Sequence, residues 1–184
     1  MKRAVIALVA ILACALVAYG GQITPNGANQ SDVYQLMSEL VYAVNNKCLT
    51  TPTLAVNAGA KAKFDTTADF TAVNSGVLNA VTASAACTFS TPITTIPASK
   101  RAIFAIGVTA ADAVVTKQSA VVSYDHQLVI PKFPEGTALI GTIKVVAAAD
   151  GQFVPNTTAL DDASCTVTIT NMHSLPLSLN VKAR

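Results

Sequence analysis

The sequence predicts a mainly β protein, an antiparallel β-sandwich or barrel preceded by one amphipathic helix and an N-terminal apolar leader or anchor. Three observations carry that expectation. Helical spacing of apolar residues occurs in one short stretch only, residues 31–46. Beyond Leu49 it gives way to short alternating runs rich in Val, Ile and Thr, the pattern of strands with one face on a core and one in water. Turn-forming clusters such as Asn57-Ala58-Gly59 and Asp65-Thr66-Thr67 separate these runs.

The chain begins with Lys2 and Arg3, an almost unbroken apolar run over residues 4–19, and Gly20-Gly21. A basic start, an apolar stretch and small residues at its end match a secretory signal peptide, with Gly21 as the new N-terminus. Sixteen residues make a helix of about 24 Å at ~1.5 Å per residue, short of a hydrocarbon core of roughly 30 Å. Two other readings stay open. Ile11-Leu12-Ala13-Cys14 resembles a lipoprotein box, which would make Cys14 a lipidation site. A retained anchor would bring residues 4–19 into contact with a membrane. The segments then divide as leader or anchor (residues 1–20), polar link and helix (21–50) and β-rich domain (51–184).

Residues 22–30 are a polar link containing Pro25 and Asn26-Gly27. Ser31 can cap the helix that follows, Asp32 complements its positive end, and Lys47 suits its carbonyl end. Val33, Leu36, Met37, Leu40, Val41 and Val44 form its apolar stripe, which can pack on the domain that follows or meet copies of itself.

Residues 53–56, 61–64 and 68–73 read as strands, and residues 76–81 and 86–89 follow the pattern more loosely. In residues 101–108, Phe104, Ile106 and Val108 share a face, and residues 113–117 are placed to form a hairpin with them. Residues 139–146 are β-branched and apolar around Gly141. Cys165, Val167 and Ile169 alternate with Thr166, Thr168 and Thr170, and Leu175, Leu177, Leu179 and Val181 alternate with Ser178, Asn180 and Lys182.

Composition narrows function. There are 12 basic and 10 acidic residues, and removal of Lys2 and Arg3 balances them. That argues against nucleic acid as a partner, because phosphate binding needs a basic surplus on one face. Only 12% of residues are charged, so association is favoured over isolation in water. Beyond the leader stand Cys48, Cys87 and Cys165, an odd number, readable as buried thiols or as one disulfide of unknown pairing plus a free thiol.

No catalytic, cofactor or metal site is expected. His126 follows Asp125 directly, and neighbours on a strand face opposite ways, so the acid is poorly placed to orient the imidazole. His173 falls in Asn171-Met172-His173-Ser174, a turn. Asp150-Gly151-Gln152 lacks the alternating oxygen ligands of a calcium loop, and Asp161-Asp162 reads more simply as a turn cap. Paired catalytic carboxylates, a glycine-rich phosphate loop and a Gly-x-Ser-x-Gly elbow are missing from the sequence. Asn29-Gln30-Ser31 and Asn156-Thr157-Thr158 fit the N-glycosylation pattern.

Ile130-Pro131-Lys132-Phe133-Pro134-Glu135-Gly136-Thr137-Ala138-Leu139-Ile140-Gly141-Thr142-Ile143-Lys144-Val145, with Phe153-Val154-Pro155-Asn156-Thr157-Thr158-Ala159-Leu160-Asp161 after it, resembles a recurring segment of head fibre or decoration-like virion proteins of tailed bacteriophages. Asn156 stands where that pattern usually has glycine, and asparagine also tolerates positive φ. The resemblance implies a non-enzymatic structural protein displayed on an assembly. Its partners would be copies of itself, with a trimer as one form, and capsid or cell-surface components. A leader departs from that family, whose heads assemble in the cytoplasm. The alternative is an exported periplasmic or cell-surface module that binds a glycan or peptide.

Overall fold

The computed structural model describes residues 30–172, with the side chains of residues 30–33 and 42–44 left aside. Residues 1–20, read as a leader or anchor and including Cys14, and the alternating run 175–181 lie outside the described residues. Two compact units divide within the helix, after Leu40. Helix α1 spans Gln30–Asn45, so Ser31 lies inside its first turn rather than ahead of it.

The β unit is built on one curled, open sheet, a half-barrel of seven strands. Its path runs β5 (Val77–Val81), β4 (Phe70–Asn74), β1 (Lys47–Cys48), β8 (Thr137–Ala147), β6 (Arg101–Thr109) and β7 (Val114–Gln118), with β9 (Cys165–Asn171) on β8. A separate ribbon joins β2 (Leu54–Val56) to β3 (Phe64–Thr66). The β class expected from alternation is observed, as is the β6–β7 hairpin, in which Val108 pairs with Val114.

Strand β8 is the axis of the sheet. All of β6 pairs antiparallel along one of its edges, while the other edge is shared by β1, which pairs through Lys47 and Leu139, and by β9 from Gly141 to Ala147. The β1–β8 pairing is parallel, so the sheet is not wholly antiparallel. Lys47 opens this strand instead of closing α1. Two residues carry little alternation to read, and their strand character comes from partners at Val73 and Leu139.

On the inner face Phe104 and Ile106 of β6, Ile140, Ile143 and Val145 of β8 and Phe64 of β3 are fully buried. Phe89, expected in a strand, enters this core from an irregular segment in which Cys87 makes one bridge to Phe64. Its ring centroid lies 4.4 Å from that of Phe104, 5.5 Å from Phe64 and 6.3 Å from Phe153.

Gly141 serves both purposes its place in a strand suggests. Ile106 pairs with Gly141 and Gly107 with Leu139, which leaves Ile140 as a bulge. A Cβ on Gly141 would collide with Leu54 Cδ1 and lie 2.6 Å from the Thr170 carbonyl oxygen. On the outer face, Phe133 packs over Gly107, where a Cβ would come within 2.9 Å of its ring. The proline-bearing segment before β8 therefore covers part of that face, turning at Gly136 with φ +86°.

Candidate functional site

Helix α1 presents apolar side chains to solvent. Tyr34 is 60% exposed, Leu36 48%, and Leu40 and Val41 47% each, while Met37 is partly covered. Of the stripe read from the sequence, Leu36, Met37, Leu40 and Val41 are therefore at least partly accessible; the side chains of Val33 and Val44 fall outside the described set. Helical spacing brings positions three and four apart together on one side, which is why these residues form a surface instead of scattered spots.

Within the β unit, an amide cluster holds the residues that leave the helix. The Asn45 carbonyl accepts a hydrogen bond from Gly76 N–H at 3.0 Å, and Asn46 Oδ1 accepts from both Ser75 and Gly136 N–H at 3.0 Å. Asn74, 1% exposed, donates through Nδ2 to the carbonyls of Val108 (2.8 Å) and Gly136 (3.0 Å), and its Oδ1 accepts from Asn79. Neutral amides here satisfy backbone groups at turns with φ +49° at Ser75 and +77° at Gly76. The Asn74-Ser75-Gly76 turn is visible in the sequence. Its partners at Asn46 and Gly136 are not, because no local pattern encodes contacts 29 and 90 residues apart.

A second polar group lies on the outer face of the sheet. Asp125 opens a 3₁₀ turn, Asp125–Gln127, and bridges Arg101 of β6 (2.7 Å) and Lys144 of β8 (2.9 Å). Hydrogen bonding from Lys144 first, and then Arg101, holds its carboxyl below the usual range. His126 stacks instead on Tyr124, with centroids 5.6 Å apart and planes at 12°. The acid thus pairs with two cations and the imidazole with a ring, so Asp125 and His126 do not act as a pair.

Cys48, Cys87 and Cys165 are free thiols, the first two buried. Burial pushes Cys48 up to about 11. Asp161 pairs with Lys61 at 3.0 Å, and Asp162 caps its turn by accepting from Ser164 N–H at 2.7 Å. Among the described residues no three His, Cys, Asp or Glu side chains converge as metal ligands, and no helix is long and apolar enough to cross a membrane. A shallow open depression of about 350 Å³ lies beside Thr50, Asp69, Thr71 and Thr82.

Asn156 adopts φ +64°, and its amide clasps a distant backbone: Oδ1 accepts from Phe89 N–H (2.7 Å) and Nδ2 donates to Phe89 C=O (2.9 Å). The side chain of this glycosylation-pattern asparagine is therefore committed to holding the Phe89 segment. No family model, curated protein or solved structure matches the chain.

Proposed function

We propose that this chain is a non-enzymatic structural subunit that self-associates through α1 and displays its β unit on a larger assembly, a virion or cell surface of the head fibre or decoration type. One observation carries the reading: Tyr34, Leu36, Leu40 and Val41 lie on one short helix with about half of each side chain in water. Full burial of such a side chain stabilises by about 1.5–3 kcal/mol, so covering the exposed halves yields roughly 4 kcal/mol per copy. Two copies gain about 8 kcal/mol against an association cost of about 4–15 kcal/mol. The stripe alone therefore supports a weak dimer, and a third helix, covering more of each stripe, strengthens it.

The half-barrel and the β2–β3 ribbon are read as the two layers of an open sandwich, a rigid body suited to display. Residues 1–20 would carry the chain out of the cytoplasm or hold it at a membrane. Light scattering on the purified full-length product should give a mass above the monomer, and Leu36→Asp with Leu40→Asp should return it to monomer with an unchanged circular dichroism spectrum. A wild-type monomer at every concentration would overturn the proposal. Intact mass decides the leader: a start at Gly21 indicates cleavage, an added lipid indicates Cys14, and a retained Met1 indicates an anchor.

A further inference from the structure

The path of the sheet ends on β5 at one side and on β7 at the other, and the two edges differ. Residues 90–94 run along β7: Thr116 N–H donates to Ser90 Oγ (3.1 Å), and Gln118 accepts from Thr94 N–H (2.6 Å) and donates to its carbonyl (2.9 Å). Strand β5 pairs only with β4 among the described residues. Val77 is 59% exposed and Leu78 64%, and Ala80 is exposed as well. The direction of its backbone groups follows from the far side of β4. Thr71 N–H donates to Thr50 Oγ1 (2.8 Å) and its carbonyl accepts from Leu49 N–H (2.7 Å), so both groups of Thr71 point away from β5. Residues opposite one another in an antiparallel pair are either bonded together or both turned away. Ala80 lies opposite Thr71 and Leu78 opposite Val73, so Leu78 and Ala80 present N–H and C=O along the open edge.

Native sheets blunt such edges with lysine, proline, a bulge or a covering loop. Strand β5 carries none of the first three: no charged residue occurs between Asp69 and Lys100, no proline occurs in residues 70–91, and the β4–β5 register is unbroken. We infer that this edge pairs antiparallel with β5 of a second copy, joining two half-barrels into one continuous sheet. The register that overlaps the whole strand sets Leu78 opposite Ala80 of the second copy, Asn79 opposite its own counterpart and Val77 opposite Val81. Opposed residues share a face, so the large Leu78 meets a small side chain on the outer face and the Asn79 amides meet on the inner one. Leu78 and Ala80 turn their backbone groups outward, so each Leu78–Ala80 pair exchanges two hydrogen bonds.

A second copy is the occupant that this chemistry selects. Without charges the strand repels no replica of itself, and it offers no ion-pair partner to a charged segment of another protein. Its size sets when the pairing forms. Five residues at ~3.4 Å each make an edge about 17 Å long and about 10 Å deep, well short of the roughly 800 Å² per partner in a standard stable interface. The pairing therefore rests on the self-association through α1 proposed above, which holds two such edges at high effective concentration. Copies separated at α1 separate at β5 as well.

The test uses the full-length protein with Cys165→Ala, which removes the partly exposed native thiol, and Asn79→Cys. Non-hydrogen-bonded pairs bring Cα atoms to about 4.5 Å, within disulfide range. Mild oxidation of the assembled protein should give a covalent dimer, read by non-reducing electrophoresis and placed at position 79 by peptide mapping. Val77→Cys in place of Asn79→Cys should stay reduced, since the two copies of position 77 lie about 14 Å apart in this register at ~3.4 Å per residue. Leu78→Lys added to Asn79→Cys should abolish the link. Because Asn79→Cys also removes a hydrogen bond to Asn74 (3.1 Å), a second measurement uses the unmodified protein. There, hydrogen exchange at Leu78 and Ala80 should be as slow as at Asn79, whose N–H faces β4, and should quicken in Leu36→Asp with Leu40→Asp. An oligomer with fast exchange at Leu78 and Ala80, or with a link at 77 instead of 79, overturns the edge pairing and leaves association through α1 standing. A wild-type monomer overturns the α1 reading and the edge pairing with it.

Discussion

Replacing Asn156 separates two contributions that the structure places in one side chain. Its amide makes two hydrogen bonds to the Phe89 backbone, at 2.7 and 2.9 Å, while its own backbone sits at φ +64°. Each bond contributes about 0.5–1.5 kcal/mol net, so Asn156→Gly, which keeps the backbone conformation and loses both, should destabilise by about 2 kcal/mol. Asn156→Ala loses the same bonds and adds the left-handed strain of a Cβ-bearing residue, about 1 kcal/mol more. With a urea m-value of about 1–3 kcal/mol/M, the glycine variant should unfold at a midpoint roughly 1 M lower and the alanine variant lower still. Phe89 is 2% exposed at the centre of the aromatic cluster, so loosening its segment should also alter the near-ultraviolet spectrum. A glycine variant within about 0.5 kcal/mol of wild type, the scatter usual for neutral surface changes, would refute the clasp. An alanine variant as stable as the glycine one would refute the strain argument.

Gly141→Ala should lower stability by about 1–3 kcal/mol in thermal unfolding, since the new methyl meets Leu54 and a backbone carbonyl that cannot move aside. Cys48 should resist alkylation at pH 8 relative to the less buried Cys165. Because its folded value is raised from 9.0 to about 11, the unfolded chain loses this proton first, so stability should fall as pH rises from about 9 to 11 and show no Cys48 contribution below that window. Asp125 should titrate below an ordinary aspartate by carbon-detected NMR, and Lys144→Gln should raise it more than Arg101→Gln, since Lys144 is the larger cause. Its contribution to stability is present above the ordinary aspartate value and lost as pH falls through the lowered one.

Faces and several turns were legible in the sequence because they depend on near neighbours. Asp65-Thr66-Thr67, read as a turn between strands, instead places Asp65 and Thr66 in β3, where they pair with Ala55 and Leu54. The period of Leu36, Met37, Leu40 and Val41 placed a helix, and alternation in residues 101–108 and 165–170 placed β6 and β9 with their inner faces. Gly136 and Asn156 marked turns because both tolerate the positive φ they adopt. Residues 61–64 show where this reading weakens: Lys63 ends the β2–β3 turn and β3 begins at Phe64, since the ribbon register, not the alternation, sets the start.

Composition and pattern alone determined that this is a low-charge, mainly β chain with one amphipathic helix, and that an apolar run occupies residues 4–19. Only the tertiary structure decided that β1 runs parallel to β8, that Phe89 fills the core from an irregular segment, that Asn46 and Asn156 bond to distant backbone, and that the sheet remains an open half-barrel. The physical reason is range. A residue's face follows from chain geometry over two to four positions, whereas its partner depends on which distant segments bury the most surface and satisfy the most backbone groups together.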